Sequence, residues 1–322
     1  MSQSAMRRRT LQALSILVCS LLCGCASEPR KPAETPFMTL TDGLERTVNL
    51  QNPPQRVVSI APGATHIMRA AGGLSSLVAI TSADYREQDL AGLPRISALP
   101  LDLEAIVALD PDLVLASDQV NDPSHADLFD ALDIPIVYLG SASWEAVLAS
   151  IRITGDMMGT SEQATSMVDS LAKKRDELIA KTAALGVRPT AVFLISPIQS
   201  YSFGADSYVL DLMRWAGLDP ITSSFDTPAP VLDDEWVLMR NPDVIIGSFG
   251  EDDAKDALLN HHPTWQSLDA IRNDRIFSIP AADILTPGPR NLQAASQMAR
   301  SVHPHLFEVV APRTGNESLT TK

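Results

Sequence analysis

Two stretches of the chain carry the same chemistry at the same spacing. Residues 101–117 (LDLEAIVALDPDLVLAS) and 232–248 (LDDEWVLMRNPDVIIGS) align without a gap. Each begins with Leu, Asp and Glu at matched places, passes through Pro-Asp and continues as an apolar run that ends in Ser. Asp102 and Asp233 are placed to cap a short helix by accepting from a first-turn N–H. That puts Glu104 and Glu235 at equivalent points of two first helical turns. A carboxylate there either stabilises the helix dipole or, when exposed, offers a charge to a partner. The repeat predicts two lobes of like construction and by itself names no function.

Other reactive types are sparse or scattered. The three cysteines, Cys19, Cys23 and Cys25, all lie within the first 25 residues. The rest of the chain therefore has no disulfide, thiolate metal site or cysteine nucleophile. Among the histidines, the pair His261-His262 and His303 with His305 fall near helix ends or beside proline, where surface histidines are ordinary. His66 and His125 stand alone. No G-x-S-x-G elbow, H-E-x-x-H, phosphate-loop lysine or G-x-G-x-x-G occurs, so nothing singles out an enzyme. A formal charge of −14 excludes a general nucleic-acid binder, which needs a cationic face, and favours solubility.

The elements that must position these residues follow a regular rhythm. With 322 residues, the chain is long enough for about two domains. Apolar β-branched runs at 57–60, 77–80, 113–116, 134–139, 191–195, 244–246 and 276–279 do not alternate, as in strands buried on both faces of a parallel sheet. Helices lie between them. One opens at Pro62-Gly63 and ends at Gly72-Gly73, Asp122-Pro123 offers a cap and first-turn pair, and Ser143 can cap a helix from Trp144. The fold class expected is α/β, with two Rossmann-like lobes of parallel strands.

One segment breaks the rhythm. Thr160 to Leu185 has no Pro and no internal Gly, and places Ala164, Met167, Val168, Leu171, Leu178 and Ile179 at helical spacing. Thr160 and Gln163 suit a capping box. A helix this long near mid-chain is expected to bridge the lobes.

Residues 1–24 read as a targeting segment: Arg7, Arg8 and Arg9 precede an apolar run from Leu11 to Leu22 that is too short to span a bilayer. Leu22-Cys23-Gly24-Cys25 resembles a bacterial lipobox, which implies cleavage before Cys25 and lipidation of its sulfur. The Pro-rich, charged stretch 28–36 reads as a tether. The domain expectations are a lipoprotein signal peptide over 1–24, lipidated Cys25 and tether over 25–50, a first lobe over 51–158, a bridging helix over 159–186, a second lobe over 187–310 and a disordered tail over 311–322.

The run from Arg56 to Thr65 (RVVSIAPGAT), followed by an apolar helix and Gly-Gly, resembles the opening of periplasmic substrate-binding proteins for iron chelates and cobalamin. The two Glu-containing modules and the late Pro287-Gly-Pro-Arg290 match the same family, so the resemblance covers about residues 50–308. It departs at His66, where the family has Glu. It departs again where cobalamin-binding relatives place tryptophans, since 98–100, 117–119 and 228–230 hold none.

The resemblance implies a lipid-anchored, exported receptor, periplasmic or at the cell surface and monomeric. It captures a metal chelate, an iron siderophore or a corrinoid, between its lobes and delivers it to an ABC permease dimer with its ATPase. It implies no permanently bound cofactor and no resident metal. Glu104 and Glu235 would dock on arginines of the two permease subunits. The ligand-binding candidates are Pro62 and Thr65 at a helix N-terminus suited to anionic groups, Tyr85, Tyr201 and Phe203 as flat or iron-ligating aromatics, and Arg290 as a carboxylate partner. A haem receptor of the same fold is the alternative, because haem relatives place a Tyr near Tyr85. A zinc or manganese receptor would need about three convergent His and carboxylate ligands.

Overall fold

The computed structural model describes residues 35–84, 88–205, 207–250 and 253–307. The signal segment, Cys25, Tyr85 and the tail from 311 lie outside the described residues.

Strands β1 (Met38–Thr41) and β2 (Thr47–Leu50) form an antiparallel hairpin. Its turn is built on buried Asp42, whose carboxylate accepts from the N–H groups of Leu44 and Arg46, each at 3.0 Å. Leu40, Val48 and Leu50 point into the core. A tether reaching residue 50 is therefore too long. The alternation of exposed and buried residues along 47–50 is the period of a half-buried strand.

The first lobe runs through β3 (Val57–Ser59), α1 (Pro62–Ala70), β4 (Leu77–Thr81), β5 (Arg95–Ile96), α2 (Leu103–Val107), β6 (Leu113–Ser117), α3 (His125–Asp130), β7 (Ile136–Leu139) and α4 (Trp144–Met158). Its five strands are all parallel in the order β5-β4-β3-β6-β7. Helix α5 (Ser161–Thr182) leads to the second lobe. That lobe comprises β8 (Thr190–Leu194), α6 (Tyr208–Trp215), β9 (Asp219–Pro220), α7 (Asp234–Arg240), β10 (Val244–Gly247), α8 (Ala254–His261), α9 (Asp269–Arg272), β11 (Ile276–Ser278), α10 (Ala281–Ile284) and α11 (Asn291–Val302). Its four strands are parallel in the order β11-β10-β8-β9.

Helix α5 has 22 residues, a length of about 33 Å at 1.5 Å per residue. Its apolar stripe buries Ala164, Val168, Leu171 and Leu178. It starts by folding back on α4: Gly159 takes a left-handed conformation (φ 69°), and a Cβ at Gly155 would lie 2.4 Å from that of Ala164. The expected capping box does not form. Thr160 is the N-cap residue, but its hydroxyl donates 2.6 Å to the carbonyl of Ala71 and so ties the helix start to the end of α1. Ser143 caps α4 as expected, accepting from Ala146 N–H at 3.2 Å. Asp122 accepts from Ser124 N–H instead of capping, so that helix starts at His125.

The main apolar cluster does not stop at a lobe boundary. Ile67 and Leu113 of the first lobe, Val168 and Leu178 of α5, and Leu212 and Met298 of the second lobe belong to one cluster. The described residues from Phe37 to Phe307 belong to one compact unit. Each lobe adds a smaller cluster of its own, around Phe129 and Tyr138 in the first and around Trp265 and Ile271 in the second.

Burial also sets a pH response. His303, just beyond α11, is buried, and that burial holds its pKa below the ordinary 6.5. The unfolded chain takes up this proton before the folded one does. The stabilisation is complete above pH 6.5 and is lost as pH falls toward the depressed folded value. Urea midpoints are expected to fall from pH 7 to pH 5, with a shallower fall in His303→Gln.

Candidate functional site

The carboxyl ends of the two sheets come together where α1 meets the loop after α10. A Cβ at Gly63 would stand 3.2 Å from the carbonyl oxygen of Pro287, and one at Gly288 would stand 3.1 Å from Cβ of His66. Next to these, Arg290 Nη2 donates to His66 Nε2 at 2.6 Å across the lobe boundary. The bond requires His66 Nε2 to be unprotonated, since an imidazolium has no lone pair to offer an arginine. Gly63, His66 and Gly288 thus form the floor between the lobes. Beside it lies a recess of about 300 Å³ lined by His66, Arg69, Met167 and Arg290.

Of the expected ligand-binding residues, Pro62 sits half-buried at the start of α1, where Ala61 is the N-cap and no side chain caps the helix. Thr65 departs from expectation. It is fully buried, its hydroxyl donates to Asp84 Oδ2 at 2.8 Å, and Ser59 Oγ is equally close. It orders the floor from below and does not reach a ligand from this position. Tyr201 and Phe203 also part company. Tyr201 is exposed, whereas Phe203 leans on the rings of Phe193 and Tyr208 at 5.6 and 6.3 Å and packs against the core.

Sequence reasoning missed the apolar rim. Leu99 and Val120 follow β5 and β6, while Ile198, Tyr201 and Val231 belong to the second lobe, and all five are exposed. Leu99 is 68% exposed and Val231 64%, each in the loop that leads into its own repeated module. The signal was present: Leu99-Pro100 and Pro230-Val231 directly precede the two repeated modules. Trp144 and Trp265 are buried and serve the core.

The repeated modules fold alike. Asp102 accepts from Ala105 N–H at 3.0 Å and Asp233 from Trp236 N–H at 2.6 Å, so both cap as expected. Glu104 and Glu235 are exposed in the first turns of α2 and α7. An antiparallel bridge precedes each helix, Ala98 with Leu101 and Tyr201 with Val231. The anchoring differs. Leu103 packs α2 on the first lobe's own cluster, whereas its counterpart Asp234 lies 2.8 Å from His262 Nδ1 and accepts from Thr264 Oγ1 at 3.2 Å. His262 in turn stacks on Trp265 at 4.3 Å.

Among the described residues no three of His, Cys, Asp and Glu are grouped to hold a metal ion, and no helix is long and apolar enough to cross a membrane.

Comparison with known proteins agrees with this architecture. Residues 57–282 match the family model described as "Periplasmic binding protein". A vitamin B12-binding protein of Pectobacterium atrosepticum is 28% identical over 251 residues, covering 76% of this chain and 87% of that protein. An uncharacterised ABC transporter substrate-binding lipoprotein of Bacillus subtilis is 22% identical over 94% of this chain and 99% of its own length. The crystal structure of the periplasmic vitamin B12 binding protein of Vibrio cholerae superposes with a TM-score of 0.69 at 23% identity, covering 80% of this chain and 99% of that one. The matched residues 57–282 take in both parallel sheets and the helix that joins them, and the chain belongs to the periplasmic binding protein family.

Proposed function

We propose that this chain is the substrate-binding lipoprotein of an ABC importer, that it takes a corrinoid between its lobes, and that it hands the corrinoid to a permease dimer through Glu104 and Glu235. It works by binding and delivery and carries out no catalysis. Cys25 carries the lipid, and the segment from there to the hairpin at Met38 spaces the body from the membrane. Delivery needs only that one carboxylate on each lobe meets one permease subunit, which is how the repeated module serves a two-fold partner.

The observation that carries the choice of ligand is the aliphatic rim. Leu99, Val120, Ile198 and Val231 offer desolvating, uncharged contact to a large ligand with apolar edges. The vitamin B12-binding relative is consistent with this reading. A ferric chelate is the second reading, favoured by the exposed phenol of Tyr201, a suitable ferric ligand.

Titration of the purified protein with cyanocobalamin, ferrioxamine and haemin, followed by calorimetry and by absorption, separates these. Saturable binding of cyanocobalamin alone is the expected result, and Val231→Asp is expected to weaken it about tenfold by placing an unpaired charge on the rim. Saturable binding of ferrioxamine alone, weakened by Tyr201→Phe, would select the second reading. Haemin binding in its place would select the haem alternative.

A further inference from the structure

Several large apolar side chains are exposed among the described residues, and two of them stand on the short helices that carry the glutamates. Val107 lies three residues beyond Glu104 on α2 and is 41% exposed; Met239 lies four residues beyond Glu235 on α7 and is 74% exposed. Positions three and four apart share a helix face. Each carboxylate therefore has an apolar side chain one turn behind it, on the surface turned away from its lobe. The rest of each helix is accounted for: Ile106 and Val237 are buried, and Leu103, Trp236 and Leu238 pack on the lobes' own clusters.

We infer that Val107 and Met239 are the short-range anchors of permease docking, the glutamates supplying long-range attraction and register. This rests on the docking reading above and extends it. The partner is the exposed surface of the permease dimer, each subunit offering a cation and, one helical turn away, an apolar socket. A surface carboxylate in water contributes little net affinity and much steering. Anchoring energy at an interface comes mainly from buried side chains near its centre.

The two anchors are not alike. At the place of Met239 the first lobe has Ala108, and its apolar bulk is moved one position earlier to Val107. The permease would meet an unbranched thioether on one side and a small branched side chain on the other. Methionine adapts its shape to a socket built for something else, so one socket design can accept both.

The test uses the full-length lipoprotein in its native host at graded expression, reading cyanocobalamin uptake or, should the titration select it, ferrioxamine uptake. Met239→Ser is expected to raise the receptor level needed for half-maximal uptake about tenfold, and Val107→Ser several-fold. Ligand affinity and thermal midpoint should be unchanged in both, and Met239→Leu should restore uptake. Val187→Ser, at an 86% exposed apolar position distant in sequence from both modules, serves as the control and should change nothing. Normal uptake in Met239→Ser and Val107→Ser, beside failed uptake in Glu104→Arg/Glu235→Arg, would overturn the anchors and leave docking by the glutamates intact. Normal uptake in all of these variants would overturn the docking reading itself.

Discussion

The double variant Glu104→Arg/Glu235→Arg is expected to abolish uptake while binding ligand as tightly as the parent. Both side chains are exposed, and among the described residues neither takes part in an ion pair or hydrogen bond. Their removal therefore breaks nothing inside the molecule. The folding cost is the loss of a favourable first-turn charge, about 0.3–1 kcal/mol per helix. The caps that hold the helices, Asp102 and Asp233, remain in place. At a two-fold partner the effect is multiplied. An attraction on each lobe becomes a repulsion, and juxtaposed like charges cost several kcal/mol across an interface. Either single reversal should leave partial uptake, since the untouched lobe still docks. Calorimetry on the purified double variant provides the decisive comparison. A fall in ligand affinity would mean that these carboxylates line the cleft and do not face a permease.

Much of this was legible because the strands are buried on both faces. Val57–Ser59, Leu113–Ser117 and Thr190–Leu194 announce themselves as unbroken apolar runs, and the expected boundaries lie within a residue or so of those observed. The bridging helix declared itself through length and the absence of Pro and Gly. The edge strands did not. Arg95–Ile96 and Asp219–Pro220 are two residues each, too short for any period, and a proline is tolerated in the second because an edge strand need not donate on both sides. The hairpin at 38–50 was hidden by its nearness to a Pro-rich tether.

The site was legible only where backbone dictates it. Capping aspartates and first-turn glutamates follow from local rules, and they are found where those rules put them. Thr65 shows the limit. A threonine at a helix start can face a ligand or turn inward, and the choice is made by Asp84, nineteen residues away and invisible to local pattern. The His66–Arg290 contact spans 224 residues and could not have been read from either neighbourhood.

Trp144→Ala is the substitution expected to cost most stability, because that ring joins three parts of the molecule at once. Trp144 opens α4 in the first lobe, is 1% exposed, and meets Trp215 of the second lobe edge-on at 5.3 Å. Arg175 of α5 lies over the Trp215 ring at 5.9 Å and reaches back to Glu145, the residue after Trp144, at 2.8 Å. Truncation to Ala leaves a cavity where the lobes share their core, at a cost of about 3–5 kcal/mol. For a chain this large that lowers the thermal midpoint by roughly 6–15 °C. Trp144→Phe should lose far less, about 1 kcal/mol. It keeps an aromatic ring against Trp215 and removes an indole N–H that is buried without a hydrogen-bond partner. The same seam determines how the receptor moves. A lone helix could bend as a hinge, but lobes that share an apolar cluster and a tryptophan pair can close only by sliding packed side chains, which limits the amplitude. Small-angle scattering of the parent should therefore change little when ligand is added, while Trp144→Ala should sample a broader range of lobe separations with or without it. A large compaction of the parent on binding would mean that the seam opens in solution and that the shared core does not restrain the lobes.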